Sequence, residues 1–283
     1  MLELIECPRD AMQGIKEFIP TQKKIDYINL LIEAGFDTID FGSFVSPKAI
    51  PQMADTAEVL KGLKLNEKTK LLAIIANQRG AQDAAQFDEI TYLGYPFSIS
   101  EEFQKRNTNA TLEESLTRVG EIKDIADKAK KELVVYISMA FGNPYGEEWH
   151  PDIAIKWVER LFREFGIKIL ALSDTIGTSS RGSIDQLFNA LIPEIPAVNF
   201  GAHLHTTPDT WREKVDAAYQ AGCRRFDGAL KGYGGCPMAK DDLTGNMPME
   251  KMLGYFDERK VKTGVDSDIV NKALLAAAEV FPL

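Results

Sequence analysis

Eight times along the chain a short apolar run is followed by an amphipathic helical pattern, and this alternation limits the fold more than any other feature. The apolar runs fall at 2–7, 38–41, 71–76, 89–95, 133–141, 169–172, 198–205 and 225–230. Each suits a strand buried on both faces. Helical periodicity fills the intervals at 22–34, 53–63, 80–87, 112–132, 151–165, 183–191 and 208–221. Two terminal helices are predicted at 248–256 and 266–280. In 22–34, Ile25, Ile28, Leu31 and Ile32 form the buried stripe and Gly35 supplies the stop. Leu116, Val119, Ile122 and Ile125 do the same in 112–132. Pro151 suits a first turn, Gly166 ends that helix, and Ser183 is a candidate N-cap for the next.

Buried strands alternating with helices imply a parallel sheet. Eight such units in 283 residues predict an α/β fold, a (β/α)8 TIM barrel with extra C-terminal helices. An open doubly wound sheet would favour Gly-x-Gly-x-x-Gly after its first strand, whereas this strand runs into Pro8-Arg9-Asp10. No linker or low-complexity break interrupts the pattern, so 1–283 reads as a single domain.

A formal charge of −9 argues against a non-specific nucleic-acid binder or a protein of anionic membranes, and leaves room for a local anion site. Cys7, Cys223 and Cys236 are odd in number and widely spaced, as free thiols in a reducing compartment would be. Met1 leads directly into a strand pattern, and no apolar stretch approaches the ~18 residues of a membrane span. The expectation is a cytoplasmic protein without a membrane anchor.

In such a barrel the C-terminal strand ends meet on one face, where chemistry is placed. Gly201-Ala202-His203-Leu204-His205-Thr206 stands at the seventh of these ends. Residues two apart on a strand share a face, so His203 and His205 project together as half of a divalent-metal site. The alternatives are satisfied strand-end histidines or a structural zinc site. Asp10 follows the first strand, and Asn246 follows a glycine-rich stretch after the eighth. With the histidines they make a mixed oxygen and nitrogen set suited to Mg²⁺ or Mn²⁺, with Zn²⁺ not excluded. Arg9 beside a ligand aspartate suits a carboxylate or a developing oxyanion. The second strand supplies Asp40 and the sixth ends in Ser173-Asp174-Thr175; Asp174 reads also, and strongly, as a support that holds a histidine or the metal's water. Cys236, among glycines, is either an accessible thiolate or a packed small side chain. Asn77, Arg79, Lys105, Arg106 and Asn107 follow strands three and four. They read as a solvated loop or as a seat for an anionic cofactor tail. His150, before a helix, reads as a turn residue.

These stretches resemble the 3-hydroxy-3-methylglutaryl-CoA (HMG-CoA) lyase family of metal-dependent barrels along the whole chain. The matching segments are Pro8-Arg9-Asp10 with Gln13 and Lys16, Ser43-Phe44-Val45-Ser46-Pro47-Lys48, Asp174-Thr175-Ile176-Gly177, His203-Leu204-His205, Gly234-Gly235-Cys236-Pro237 and Gly245-Asn246. Arg-Asp and His-x-His are shared with related synthases and aldolases. Ser-Phe-Val-Ser-Pro-Lys and Gly-Gly-Cys-Pro are more specific. The resemblance implies a divalent metal on Asp10, His203, His205 and Asn246, with Arg9 and Cys236 catalytic. It implies a proton acceptor among His203, Asp40 and Asp174, substrate contacts at Arg9, Gln13, Lys16 and Asn77, and cleavage of HMG-CoA to acetyl-CoA and acetoacetate. Leucine breakdown or ketone-body formation would follow from the family. A homodimer is allowed and not required. The chain departs from the family pattern at Ala11-Met12, at Asp40 in place of glutamate, at Met139 and Asn143, and in a longer segment between Cys236 and Asn246. Those departures keep open a related acyl-CoA or 2-oxo acid lyase or synthase, or a barrel that binds metal or CoA without turnover.

Overall fold

The eight apolar runs become eight parallel strands that close on themselves in the order β1 to β8, the last pairing with the first. The computed structural model describes residues 2–235 and 244–281. The strands are β1 (Glu3–Glu6), β2 (Thr38–Ser43), β3 (Lys70–Ile74), β4 (Ile90–Ser98), β5 (Glu132–Ser138), β6 (Ile169–Asp174), β7 (Asn199–Leu204) and β8 (Arg225–Gly228). The helices are α1 (Pro8–Gln13), α2 (Thr21–Ala34), α3 (Thr56–Lys61), α4 (Gln78–Ala85), α5 (Glu101–Thr108), α6 (Leu112–Lys128), α7 (Pro151–Phe165), α8 (Arg181–Glu194), α9 (Trp211–Gln220), α10 (Met249–Glu258) and α11 (Ser267–Val280). The barrel expected from the alternation is therefore the barrel observed.

Most of the core lies between the strands and the ring of helices, where Leu4, Leu31, Leu93, Val135, Leu172 and Phe226 are buried together. The barrel interior holds a smaller apolar group, with Leu72, Ile74, Val134 and Ala171. Its β7–β8 side is polar. Gly201 on β7 makes this possible, because a Cβ there would stand 2.8 Å from Nη1 of Arg225.

Local differences from the sequence reading have simple causes. Helix α6 ends at Lys128, since Lys130 takes φ +56° and turns the chain into β5. Helix α8 starts earlier than Ser183. Ser180 is its N-cap and Ser183 is the reciprocal partner in a capping box. Two short helices lie where loop was expected. Pro8 opens α1 at its first turn, the one helical place a proline favours. Ser100 caps α5, accepting from the Phe103 N–H.

Candidate active site

Helix α1 begins at the mouth of the barrel and presents Arg9, Asp10 and Gln13 to it. Gln13 lies one turn after Asp10 and donates to Asp10 Oδ1 at 2.6 Å. Arg9 donates from Nη1 to the same oxygen at 2.9 Å. The rest of the guanidinium grips Asp40 on β2, with Nε 3.0 Å from Oδ2 and Nη2 on the same oxygen. Burial opposes the charge of Arg9, and the carboxylates of Asp40 and Asp10 outweigh it, so the guanidinium stays protonated. Burial pushes Asp40 up to about 6, against the pull of Arg9. Burial also works against a charged Asp10, but Arg9 first and then His203 hold its carboxyl down at about 2.

Across the mouth, His203 on β7 sits in register beside Asp227 on β8. Its Nδ1 lies 3.2 Å from Asp227 Oδ2, while Arg225 donates to Asp227 Oδ1 at 2.9 Å. Burial disfavours a charged His203, yet the hydrogen bond and charge of Asp227 prevail and its pKa rises. His205 follows β7, its ring centroid 5.5 Å from that of His203. Its Nδ1 is 2.8 Å from the Thr175 carbonyl. A carbonyl only accepts, so Nδ1 carries the proton and Nε2 holds a lone pair. Burial and then His203 push its pKa down, which keeps the ring neutral.

Donor atoms of Asp10, His203 and His205 all lie within 4.8 Å of one another. The His205 Nε2 is buried and, among the described residues, without a hydrogen-bond partner. A buried lone pair facing a carboxylate and a second imidazole is costly unless something electrophilic meets it, so this donor set fits a divalent cation. Asn246 joins the group, donating from Nδ2 to Asp10 Oδ2 at 2.8 Å and to the Tyr233 carbonyl at 2.8 Å. That leaves its side-chain oxygen as the atom able to ligate. Gly234 is required here. It adopts φ +85°, and a Cβ would meet Asn246 Nδ2 and the Asp10 carbonyl at 2.8 Å.

Arg9, Asp10, Gln13, His203 and His205 line a cavity of about 420 Å³. Its polar side carries Arg9, Asp10, Gln13, Ser138, Ser173, Thr175 and the two histidines, and its apolar side Val45, Ile50, Ile74, Pro96 and Phe103. A larger cavity of about 730 Å³ lies between α10 and α11 and contains none of the site residues expected from sequence.

Other expected residues fall elsewhere. Asp174 does not reach the cavity, which its neighbours Ser173 and Thr175 line. Its carboxylate is taken up by Lys214 Nζ at 2.7 Å, by the Thr178 N–H at 2.8 Å and by the Ser179 N–H at 3.0 Å. Its carboxylate is turned to Lys214 and the turn after β6, away from the cavity, which suits the alternative reading of Asp174 as a support. Asn77 is exposed and caps α4 through the Gly80 N–H at 3.0 Å. Lys16 is exposed and outside the cavity. Neither lines the cavity. Of the five residues after strands three and four, Asn107 lines the cavity. Lys105 and Arg106 instead pair with Glu101 and Glu102 on α5. Cys236 lies outside the described residues. Cys7 and Cys223 are buried, and burial pushes the Cys223 thiol up to about 12.

Three contributors were not singled out from sequence: Asp227, Lys214 and Tyr136, whose ring meets His203 edge-on. A signal existed for two of them. Arg225 and Asp227 are charges spaced two apart on a buried strand, and Lys214 falls on the apolar stripe of a helix with Trp211, Val215 and Ala218.

The HMGL-like family model matches residues 4–276. The chain belongs to the HMGL-like family. The family is divalent-metal dependent, in keeping with the donor set above. Among its relatives is a cytoplasmic 3-hydroxy-3-methylglutaryl-CoA lyase of Danio rerio, 35% identical over 94% of this chain and 81% of that protein. Another is a 3-hydroxy-3-isohexenylglutaryl-CoA/hydroxy-methylglutaryl-CoA lyase of Pseudomonas aeruginosa, 33% identical over 94% of this chain and 88% of that one. A solved Acinetobacter baumannii HMG-CoA lyase in complex with coenzyme A and 3-methylmalate superposes with a TM-score of 0.90 at 30% identity, covering 99% of this chain and 91% of its own.

Proposed function

We infer that this chain is an HMG-CoA lyase, a carbon–carbon lyase that cleaves 3-hydroxy-3-methylglutaryl-CoA to acetyl-CoA and acetoacetate. The observation that carries the reading is the meeting of Asp10, His203 and His205 with Arg9 in one cavity, in a chain of this family. Asp10, His203, His205 and Asn246 would hold the cation, Mg²⁺ or Mn²⁺ by the hardness of the oxygen donors. When bound, such an ion polarises the substrate's tertiary hydroxyl and lowers its pKa.

The chain's own residues supply the rest. The hydroxyl gives up its proton, the adjoining carbon–carbon bond breaks, and its electron pair becomes the enolate of acetyl-CoA. Arg9 meets the enolate oxygen with a guanidinium kept charged by Asp40 and Asp10. The proton acceptor is Asp40, whose pKa burial raises to about 6 and which Arg9 links to the cavity, since His203 would have one ring nitrogen on the cation and the other on Asp227. Asp174 is spent on Lys214 and the following turn. The Cys236 thiol delivers the proton that converts the enolate to the acetyl group. The apolar wall of Val45, Ile50, Ile74 and Phe103 suits the pantetheine arm or a longer 3-alkyl branch.

Acetoacetate release by the purified protein tests the reading. HMG-CoA and 3-hydroxy-3-isohexenylglutaryl-CoA are offered with Mg²⁺ or Mn²⁺ and with EDTA. Metal-dependent acetoacetate from HMG-CoA is expected. Cleavage of neither substrate, with metal bound, would exclude the lyase assignment.

A further inference from the structure

Lys214 occupies a core-facing position of α9, where the helical stripe calls for an apolar side chain. It is 2% exposed. Its ammonium donates to Asp174 Oδ2 at 2.7 Å, to the Gly177 carbonyl at 3.0 Å and to the His205 carbonyl at 2.8 Å. An ammonium carries three hydrogens, and each has an acceptor.

Those acceptors stand at the adjoining ends of β6 and β7. Asp174 shapes the turn after β6 through Thr178 and Ser179. That turn contains Thr175, whose carbonyl fixes the His205 ring. One residue past His205, Thr206 exchanges two backbone hydrogen bonds with Gly245, at 2.8 and 2.9 Å, and so places the neighbouring Asn246. From behind the barrel wall, Lys214 therefore holds the His205 backbone and the turn that sets its ring.

We propose that Lys214, paired with Asp174, is a positioning residue that aims His205 Nε2 at the donors of Asp10 and His203. A buried ion pair adds little net stability over a well-packed apolar pair, so its contribution here is geometric. The proposal rests on the reading of this cluster as a divalent-metal site.

The test is a Mn²⁺ titration followed by the electron paramagnetic resonance signal of free Mn²⁺. One site per chain is expected in the wild type. Lys214→Met and Asp174→Asn should each weaken it roughly 10- to 100-fold, the usual effect of removing an outer support of a ligand. The double variant should bind no more weakly than the worse single, because both act through one device. Should Lys214→Met fail to fold, Lys214→Gln and Asp174→Asn carry the same comparison, with circular dichroism confirming a folded protein at the assay temperature. A merely structural role would lower the melting temperature and leave the Mn²⁺ affinity unchanged. Wild-type affinity in folded variants overturns the proposal. A wild type that binds no Mn²⁺ removes the metal reading itself, and this inference with it.

Discussion

Two buried ion pairs flank the histidines, and they face opposite ways. Arg9–Asp40 and Lys214–Asp174 are nearly equal in depth, with side-chain exposures of 9% and 1% in the first and 3% and 1% in the second. Both place a basic group on a helix against an aspartate of a strand. Yet Arg9 lines the cavity, whereas Lys214 lies behind the wall against backbone carbonyls. Strand alternation decides this: Ser173 and Thr175 point in, so Asp174 between them points out. An aspartate at a barrel strand end is therefore not a catalytic group by position alone. The side of the wall it faces sets its work.

The comparison breaks most readily at Arg9. Replacing it by Gln should lower turnover about a thousandfold, as loss of an oxyanion donor does, with little change in Mn²⁺ affinity. A near-wild-type kcat would remove the enolate role. The acids sharpen the contrast. Asp40→Asn should reduce kcat roughly 10- to 100-fold with Mn²⁺ affinity preserved, while Asp174→Asn should act first on Mn²⁺ affinity. If both variants change the same quantity, the two pairs are not functionally distinct. Asp227→Asn should weaken Mn²⁺ binding roughly tenfold by loosening the orientation of His203. Unaltered affinity there would mean that packing, not the carboxylate, orients the ring.

The smallest effect concerns a buried acid outside both pairs. Glu6 accepts from the Leu230 N–H at 2.8 Å through Oε1, and its Oε2 has no partner among the described residues. Burial raises its pKa well above the usual carboxylate range. A raised folded-state pKa gives a contribution that is complete below the unfolded value and declines as pH rises toward the folded one. Glu6→Gln should thus be close to neutral at pH 4 and stabilising at pH 8. Urea midpoints at the two values check this, and an equal shift at both would refute the assignment.

The barrel was legible because each strand is a plain apolar run and each long helix a regular stripe. Asp10, His203, His205 and Asn246 were legible as a set once strand ends were known to converge. Asp174 carried both a catalytic and a supporting reading in the sequence, and the face of β6 on which it stands separates it from Asp40 within β2. Short α5 was missed because Lys105 and Arg106 read as loop, although each stands four residues after a glutamate, the spacing of helical ion pairs. Lys214 was hidden by the ordinary expectation that lysine faces water, and its buried role needs the carbonyls of β6 and β7 to be in place.

The most direct test of the account counts Mn²⁺ per chain in the wild type and in His205→Gln. The predicted result is one Mn²⁺ per wild-type chain, with nitrogen hyperfine coupling from imidazole, and loss of that site in the folded variant. An unchanged site in His205→Gln, or a wild type with no imidazole-coupled Mn²⁺, would contradict it.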